Sequence, residues 1–216
     1  MRAEDIVTAT TDWQGYRDVR RGLGDSNVRV TYFRGRLQLM AAPSRRHEKR
    51  KSVLGRFIET LMDEWGIAYE IAGALTVARE DLDLGFEPDE SYWIKHVNQV
   101  SGSEEFNPYH DPPPDLIIEV EVTRKALGRM PIFATLGVPE VWCYSQEEGV
   151  RFHVLQSGSY AEKTVSPTFP LLPRTVLNEH LEKARATSCS EARRAWKEWL
   201  LSTPGPAGDK PANEGC

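Results

Sequence analysis

The octapeptide DLIIEVEV, residues 115–122, limits the fold more than any other stretch of this 216-residue chain. Three successive prolines precede it, and proline cannot donate to a sheet ladder, so 100–114 reads as a loop and the strand starts cleanly at Asp115. Side chains alternate across a strand. Leu116, Ile118, Val120 and Val122 therefore form a wholly aliphatic face, while Asp115, Ile117, Glu119 and Glu121 share the other. The aliphatic face must be core. A carboxylate-bearing face can be a half-exposed edge, or it can be buried where cations or donors offset the charge, a bound metal being one such solution.

The elements around this strand describe a mixed α/β chain. Residues 28–40 (VRVTYFRGRLQLM) are β-rich around an Arg34-Gly35 turn signal and predict a hairpin. Over 46–65, Val53, Leu54, Phe57, Ile58, Leu61, Met62 and Trp65 recur at helical spacing. His47 lies on the same stripe, so it is expected to face the body of the protein. Segments 67–78 and 86–94 read as strands. A helix is expected over 124–136, with its regular part beginning near Gly128 or Arg129 so that Pro131 falls in the first turn. Strands follow at 140–144, 150–156 and 160–166. Two helices follow them, the second opened by a Ser188-Cys-Ser-Glu191 capping box. Residues 1–27 give no clear assignment. One domain over 1–202 and a disordered Pro/Gly-rich tail over 203–216 are expected.

Apolar residues make up 40% of the chain and charged ones 27%, the balance of a globular protein. With no long apolar run and no signal-like N-terminus, the expectation is a cytoplasmic protein with no membrane span. Three cysteines, Cys143, Cys189 and Cys216, lack paired spacing and support neither a disulfide framework nor a zinc site. The net charge of −5 does not suit a nucleic-acid coat protein. It does not exclude a nuclease, because a catalytic pocket needs carboxylates whose charge bound divalent cations offset. The densest basic run is Arg45, Arg46, Lys49, Arg50 and Lys51 around His47, readable as a solvated helix start or as a phosphate surface. Phosphate-loop, nucleophile-elbow and zinc-hydrolase motifs are missing.

Spacing narrows the carboxylate set. Asp115 and Glu119 lie about 13 Å apart along a strand, too far to share a cation easily, whereas Glu119 and Glu121 are about 7 Å apart at Cα. A ligand from a neighbouring strand is wanted, and Asp89 in Glu87-Pro88-Asp89 is the candidate. Alone, an aspartate beside proline reads equally as a turn residue.

Three stretches carry a family resemblance: GRLQLMAAP at 35–43 with His47 following, PDLIIEV at 114–120, and FATLGVPEVW at 133–142. With Asp89 thirty residues before Glu119, they resemble the Uma2 family of restriction-endonuclease-like proteins, in the PD-(D/E)XK nuclease-like superfamily, over about 28–175. The resemblance implies a central mixed sheet flanked by helices and a Mg²⁺ or Mn²⁺ ion held by acidic residues. It also implies hydrolysis of DNA phosphodiesters.

Carried onto this chain, Asp89 and Glu119 become metal ligands, the Val120 carbonyl and Glu121 further ones, and His47 a phosphate or carboxylate partner. The lysine usual at the last motif position is Glu121 here. Arg129 fills the alternative slot on the following helix, with Lys125 as a substitute. Arginine binds phosphate but is a poor general base. Asp115 is expected to be structural at the strand start, and Glu140 and Trp142 to serve packing and capping. His96, His110, His153 and His180 read as surface residues.

Two functions follow from the resemblance. One is a metal-dependent DNA endonuclease, compatible with a homodimer. The other is a catalytically weak nuclease-fold module that binds nucleic acid or a protein.

Overall fold

The computed structural model describes residues 6–24, 26–41, 43–120 and 128–206. Two sheets lie at its centre, built from short strands whose side chains divide between three hydrophobic clusters. The first sheet begins with β1 (Ile6–Thr10), which precedes helix α1 (Trp13–Leu23). Asp12 caps α1 by accepting from the Gly15 amide at 2.8 Å. Then come β2 (Arg29–Phe33) and β3 (Arg36–Met40), paired antiparallel as the expected hairpin. Its two-residue turn needs positive φ at both positions, and Arg34 (48°) and Gly35 (80°) supply it.

Helix α2 (Arg45–Trp65) follows. Ser44 accepts from the His47 amide at its start, and Gly66 in left-handed conformation ends it. Every apolar residue of the anticipated stripe is buried, and so is His47.

The next region departs from expectation. The stretch 67–78 is not one strand: β4 (Glu70–Ile71) and β5 (Val77–Arg79) belong to different sheets, separated by Gly73 at a φ of 59°. The stretch 86–94 is likewise split between β6 (Leu84–Phe86) and β7 (Glu90–Trp93). Pro88, with no N–H to donate, sits in the break. Continuous hydrophobicity hid both crossovers, because each short strand is apolar enough to read as part of its neighbour.

After α3 (Val97–Val100) and the proline-rich loop comes β8 (Leu116–Val120), buried along its whole length. It lies between β7, antiparallel, and β9 (Glu140–Ser145), parallel, so the half-exposed edge reading is excluded. The crossover includes helix α4 (Met130–Leu136), with Pro131 in its first turn and Gly137 (φ 88°) at its end. The remaining elements are β10 (Gly149–Gln156), β11 (Ser159–Lys163), α5 (Arg174–Ala186) and α6 (Cys189–Ser202). Ser188 caps α6 by accepting from the Glu191 amide, as the capping box requires.

One sheet has the order β1-β3-β2-β6-β5 and the other β11-β10-β9-β8-β7-β4. The second is mixed through its single described parallel pair. On one of its faces Leu116, Ile118, Val120 and Trp142 pack against α2, α5 and α6. On the other, Ile117 and Val141 meet Ile132 and Phe133 of α4 and Val77, Leu84 and Phe86 of the first sheet. Tyr16 of α1 covers the far side of that sheet with Val30, Tyr32 and Leu37. Helices flank the mixed sheet as expected, but one side also carries a second sheet. The hairpin is legible in the sequence, whereas its recruitment of β1, β6 and β5 depends on long-range pairing.

Candidate active site

Charged groups from five segments converge at the C-terminal end of β8, drawn from both sheets, from α2 and from the start of α4. Extending the Glu90↔Ile118 register by one residue sets Asp89 opposite Glu119. Both carboxylates are almost fully buried, at 1% and 2% exposure. Desolvating such groups costs several kcal/mol apiece, on the order of what breaks a domain, so the surroundings must compensate.

Asp89 is compensated from at least three directions. Its Oδ2 accepts from the Val120 amide at 2.7 Å, so the side chain takes a position that a neighbouring strand's carbonyl would otherwise fill. The same oxygen lies 3.1 Å from His47 Nε2. Its Oδ1 accepts from the guanidinium of Arg29, at the start of β2. Burial alone lowers the pKa of that guanidinium, but the charge and hydrogen bond of Asp89, aided by Glu119 and Glu48, outweigh it and leave it raised. Arg29 is a fixed cation here. The His47 ring sits between two carboxylates, since its Nδ1 lies 3.3 Å from Glu48 Oε1.

Glu119 pairs with a second arginine. Arg129, immediately before α4, donates from one terminal nitrogen to both Glu119 oxygens, at 2.8 and 2.6 Å. Its other terminal nitrogen donates to the Glu87 carbonyl. The guanidinium carbon stands 6.0 Å from the Phe86 ring centre and 5.6 Å from that of Phe133, within cation–π range. The Nε of Arg129 is buried and has no hydrogen-bond partner among the described residues. Glu87 is anchored in turn, its side chain accepting from Arg20 of α1 and from Thr76.

Of the candidates named from sequence, His47, Asp89, Glu119, Val120 and Arg129 come together. Glu121 and Lys125 lie outside the described residues. Arg29 was missed. Its only signal is strand alternation: Val30 and Tyr32 face α1, which turns Arg29 and Thr31 toward the opposite side. Asp115 stands apart, accepting from the Ile94 and His96 amides and from the His96 ring, and so ties the start of β8 to the end of β7. His96 is thus engaged rather than simply solvated. His180 also departs from the surface reading: it bonds the Val176 carbonyl and lies beside the Trp196 ring. Glu140 accepts from Trp142 and Thr168, the packing and capping role expected of it.

Carboxylates and a carbonyl are the hard oxygen donors that Mg²⁺ and Mn²⁺ prefer, so the donor set fits such an ion in kind. No group of three or more metal-ligating side chains occurs among the described residues. Two guanidiniums already balance the two carboxylates, so a cation entering here competes with Arg29 and Arg129.

The fold is mixed α/β, with paired acidic residues and an arginine at the end of its central parallel strand. The chain belongs to the Uma2 family, described as "Putative restriction endonuclease", whose model matches residues 13–184. That span takes in α1, which lies ahead of the stretch where the resemblance was read. Among solved structures, the chain is similar to a "putative nuclease belonging to DUF820" from Anabaena variabilis. The two share 16% identity over 78% of this chain and 90% of that one, with a TM-score of 0.49. No curated protein matches it significantly. No helix among the described residues is long and apolar enough to cross a membrane.

Proposed function

We propose that this protein is a metal-dependent nuclease that hydrolyses DNA phosphodiester bonds at the C-terminal end of β8. The observation that carries the reading is the burial of Asp89 and Glu119 on adjacent strands beside an arginine with an unpartnered Nε. Asp89, Glu119 and the Val120 carbonyl would hold Mg²⁺ or Mn²⁺, with Glu121 as a further ligand. When bound, the ion supplies the charge that activates water and polarises the scissile phosphate.

The chain's own groups do the rest. His47 and the Val120 amide fix the Asp89 carboxylate in one orientation. Arg129 neutralises phosphate charge, its Nε serving as the donor for a phosphate oxygen. Phe86 and Phe133 exclude water from one side of that guanidinium.

The arginine on each carboxylate favours a second reading, a catalytically weak module that binds nucleic acid or a protein. Calorimetry of Mn²⁺ binding with plasmid nicking on the same samples separates the two, comparing wild type with Asp89→Asn and Glu119→Gln. Binding and nicking that both vanish in the variants support the nuclease. Wild-type protein that binds Mn²⁺ but never nicks leaves the module. A wild type that neither binds nor nicks removes the enzyme.

A further inference from the structure

A recess lies one strand away from the carboxylates, on the helical side of the mixed sheet. It has a volume of about 560 Å³ and is lined by the N-terminal half of α2, the C-terminal half of α5 and Tyr144 of β9. Its rim carries five cations, Arg45, Arg46, Lys49, Arg50 and Arg185. Its floor is apolar, formed by Val53, Leu181 and Ala184, all buried.

The charge of this rim is largely uncompensated. Arg185 pairs with Glu182 at 2.7 Å, and Arg50 donates to the neutral amide of Gln146 at 2.7 Å. Arg45, Arg46 and Lys49 have no ion pair among the described residues, in a protein of net charge −5. Arg50 lies over the Tyr144 ring, 5.8 Å from its centre. Burial lowers the Arg50 pKa, and the nearby Arg46 and Arg185 lower it further against the opposing pull of Tyr144 and Glu147. Like charges held this close cost free energy unless an anion joins them.

The shape selects among anions. A duplex backbone presents phosphates and sugars on a convex surface and keeps its bases inside, so it has no use for an apolar recess. A single strand offers both chemistries, phosphates for the cationic rim and an unstacked base for the apolar floor. The position is also apt: Tyr144 is the register partner of Val120, whose amide holds Asp89, and His47 lies between Arg46 and Lys49 on α2. Helix α2 thus links the two places, carrying His47 beside Asp89 and Arg46 and Lys49 to the recess.

We infer that the recess between α2, α5 and β9 is a single-stranded nucleic-acid subsite, with phosphates on the arginine rim and one base on the Val53–Leu181–Ala184 floor. The inference rests on the nuclease reading for its direction of approach, but not for its chemistry. Binding here needs no metal and no hydrolysis.

The test is fluorescence anisotropy of labelled oligo(dT) of twelve nucleotides, in EDTA at low salt, with unlabelled duplex and dTMP as competitors. Wild type is expected to bind without added metal. The triple variant R46Q/K49Q/R185Q is expected to lose at least tenfold in affinity. Arg193→Gln with Arg194→Gln, which removes exposed charge on α6, is expected to lose less than twofold, and circular dichroism checks the fold of each.

Affinity should fall with added salt, by about 0.7 of a power per phosphate contacted. Duplex competing as well as single strand overturns the inference. So does equal loss in the α6 variant, which would mean diffuse attraction, or dTMP competing as well as the oligonucleotide, which would mean a mononucleotide site. Because EDTA removes nicking, the nuclease reading stands or falls separately in the metal assay.

Discussion

Arg29 and Arg129 occupy the places where a divalent ion would compete, and this makes their removal informative in two directions. Taking away one partner of a buried ion pair strands the other charge and typically costs about 3–5 kcal/mol. Arg129→Gln should therefore lower the melting temperature in EDTA. Millimolar Mn²⁺ should recover more stability in the variant than in wild type, because the cation replaces the lost charge and binds only the folded state. Equal Mn²⁺ shifts in the two proteins would show that no cation reaches Glu119. Asp115 gives a contrast free of catalysis. Asp115→Ala leaves the Ile94 and His96 amides without an acceptor, and chemical denaturation should show a loss of about 1–3 kcal/mol. Mn²⁺ affinity should be unchanged.

At the scale of elements, α2 does two jobs with two faces. Its apolar stripe packs on β8 and α6, while its first turn carries His47 to the carboxylates and its cations to the recess. Trp196 of α6 is fully buried against this helix, stacked on Phe57 with ring centres 5.2 Å apart and bonded to the Phe57 carbonyl. Trp196→Ala should cost about 3–5 kcal/mol, read from urea unfolding. On the other sheet, a Cβ at Gly85 would fall 2.2 Å from the Tyr16 hydroxyl. Gly85→Ala must then displace the buried Tyr16 ring, and α1 should loosen, visible as faster amide exchange over that helix.

These elements differ in how openly the sequence declares them. The α2 stripe, the Arg34-Gly35 turn, the Ser188 cap and the strand at 116–120 rest on local periodicity and capping, and all are legible. The short strands β4 to β7 are not. Two to four residues carry no usable period, and which sheet each joins is decided by distant partners. Glu119 draws notice because the other face of its strand has to be core, and Asp89 because spacing and the family resemblance set it beside Glu119; the burial of the carboxylate face itself is not legible. Arg29 carried no such signal, since an arginine at a hairpin's first residue is ordinarily exposed.

For the whole molecule, the decisive arrangement is a mixed sheet covered by helices on one face and by a second sheet with α4 on the other. The acidic groups meet Arg29 of the second sheet, and the basic recess lies on the helical side. Charge is thereby sorted by face although the chain is acidic overall. Metal and strand should then load independently: oligo(dT) affinity measured with Ca²⁺ in place of Mn²⁺ should differ from the EDTA value by less than threefold. A larger change would mean that the two regions share one electrostatic field rather than two.

The hydrogen bond from the Val120 amide to Asp89 makes one of the reactive candidates also a piece of the scaffold. Drift at position 89 is therefore policed twice, once by whatever chemistry it serves and once by folding. A lineage that abandoned catalysis would still tend to keep an acceptor there, so the presence of Asp89 in a relative says little about whether that relative cuts. The more telling positions are those with no second duty, where an idle enzyme would be free to change.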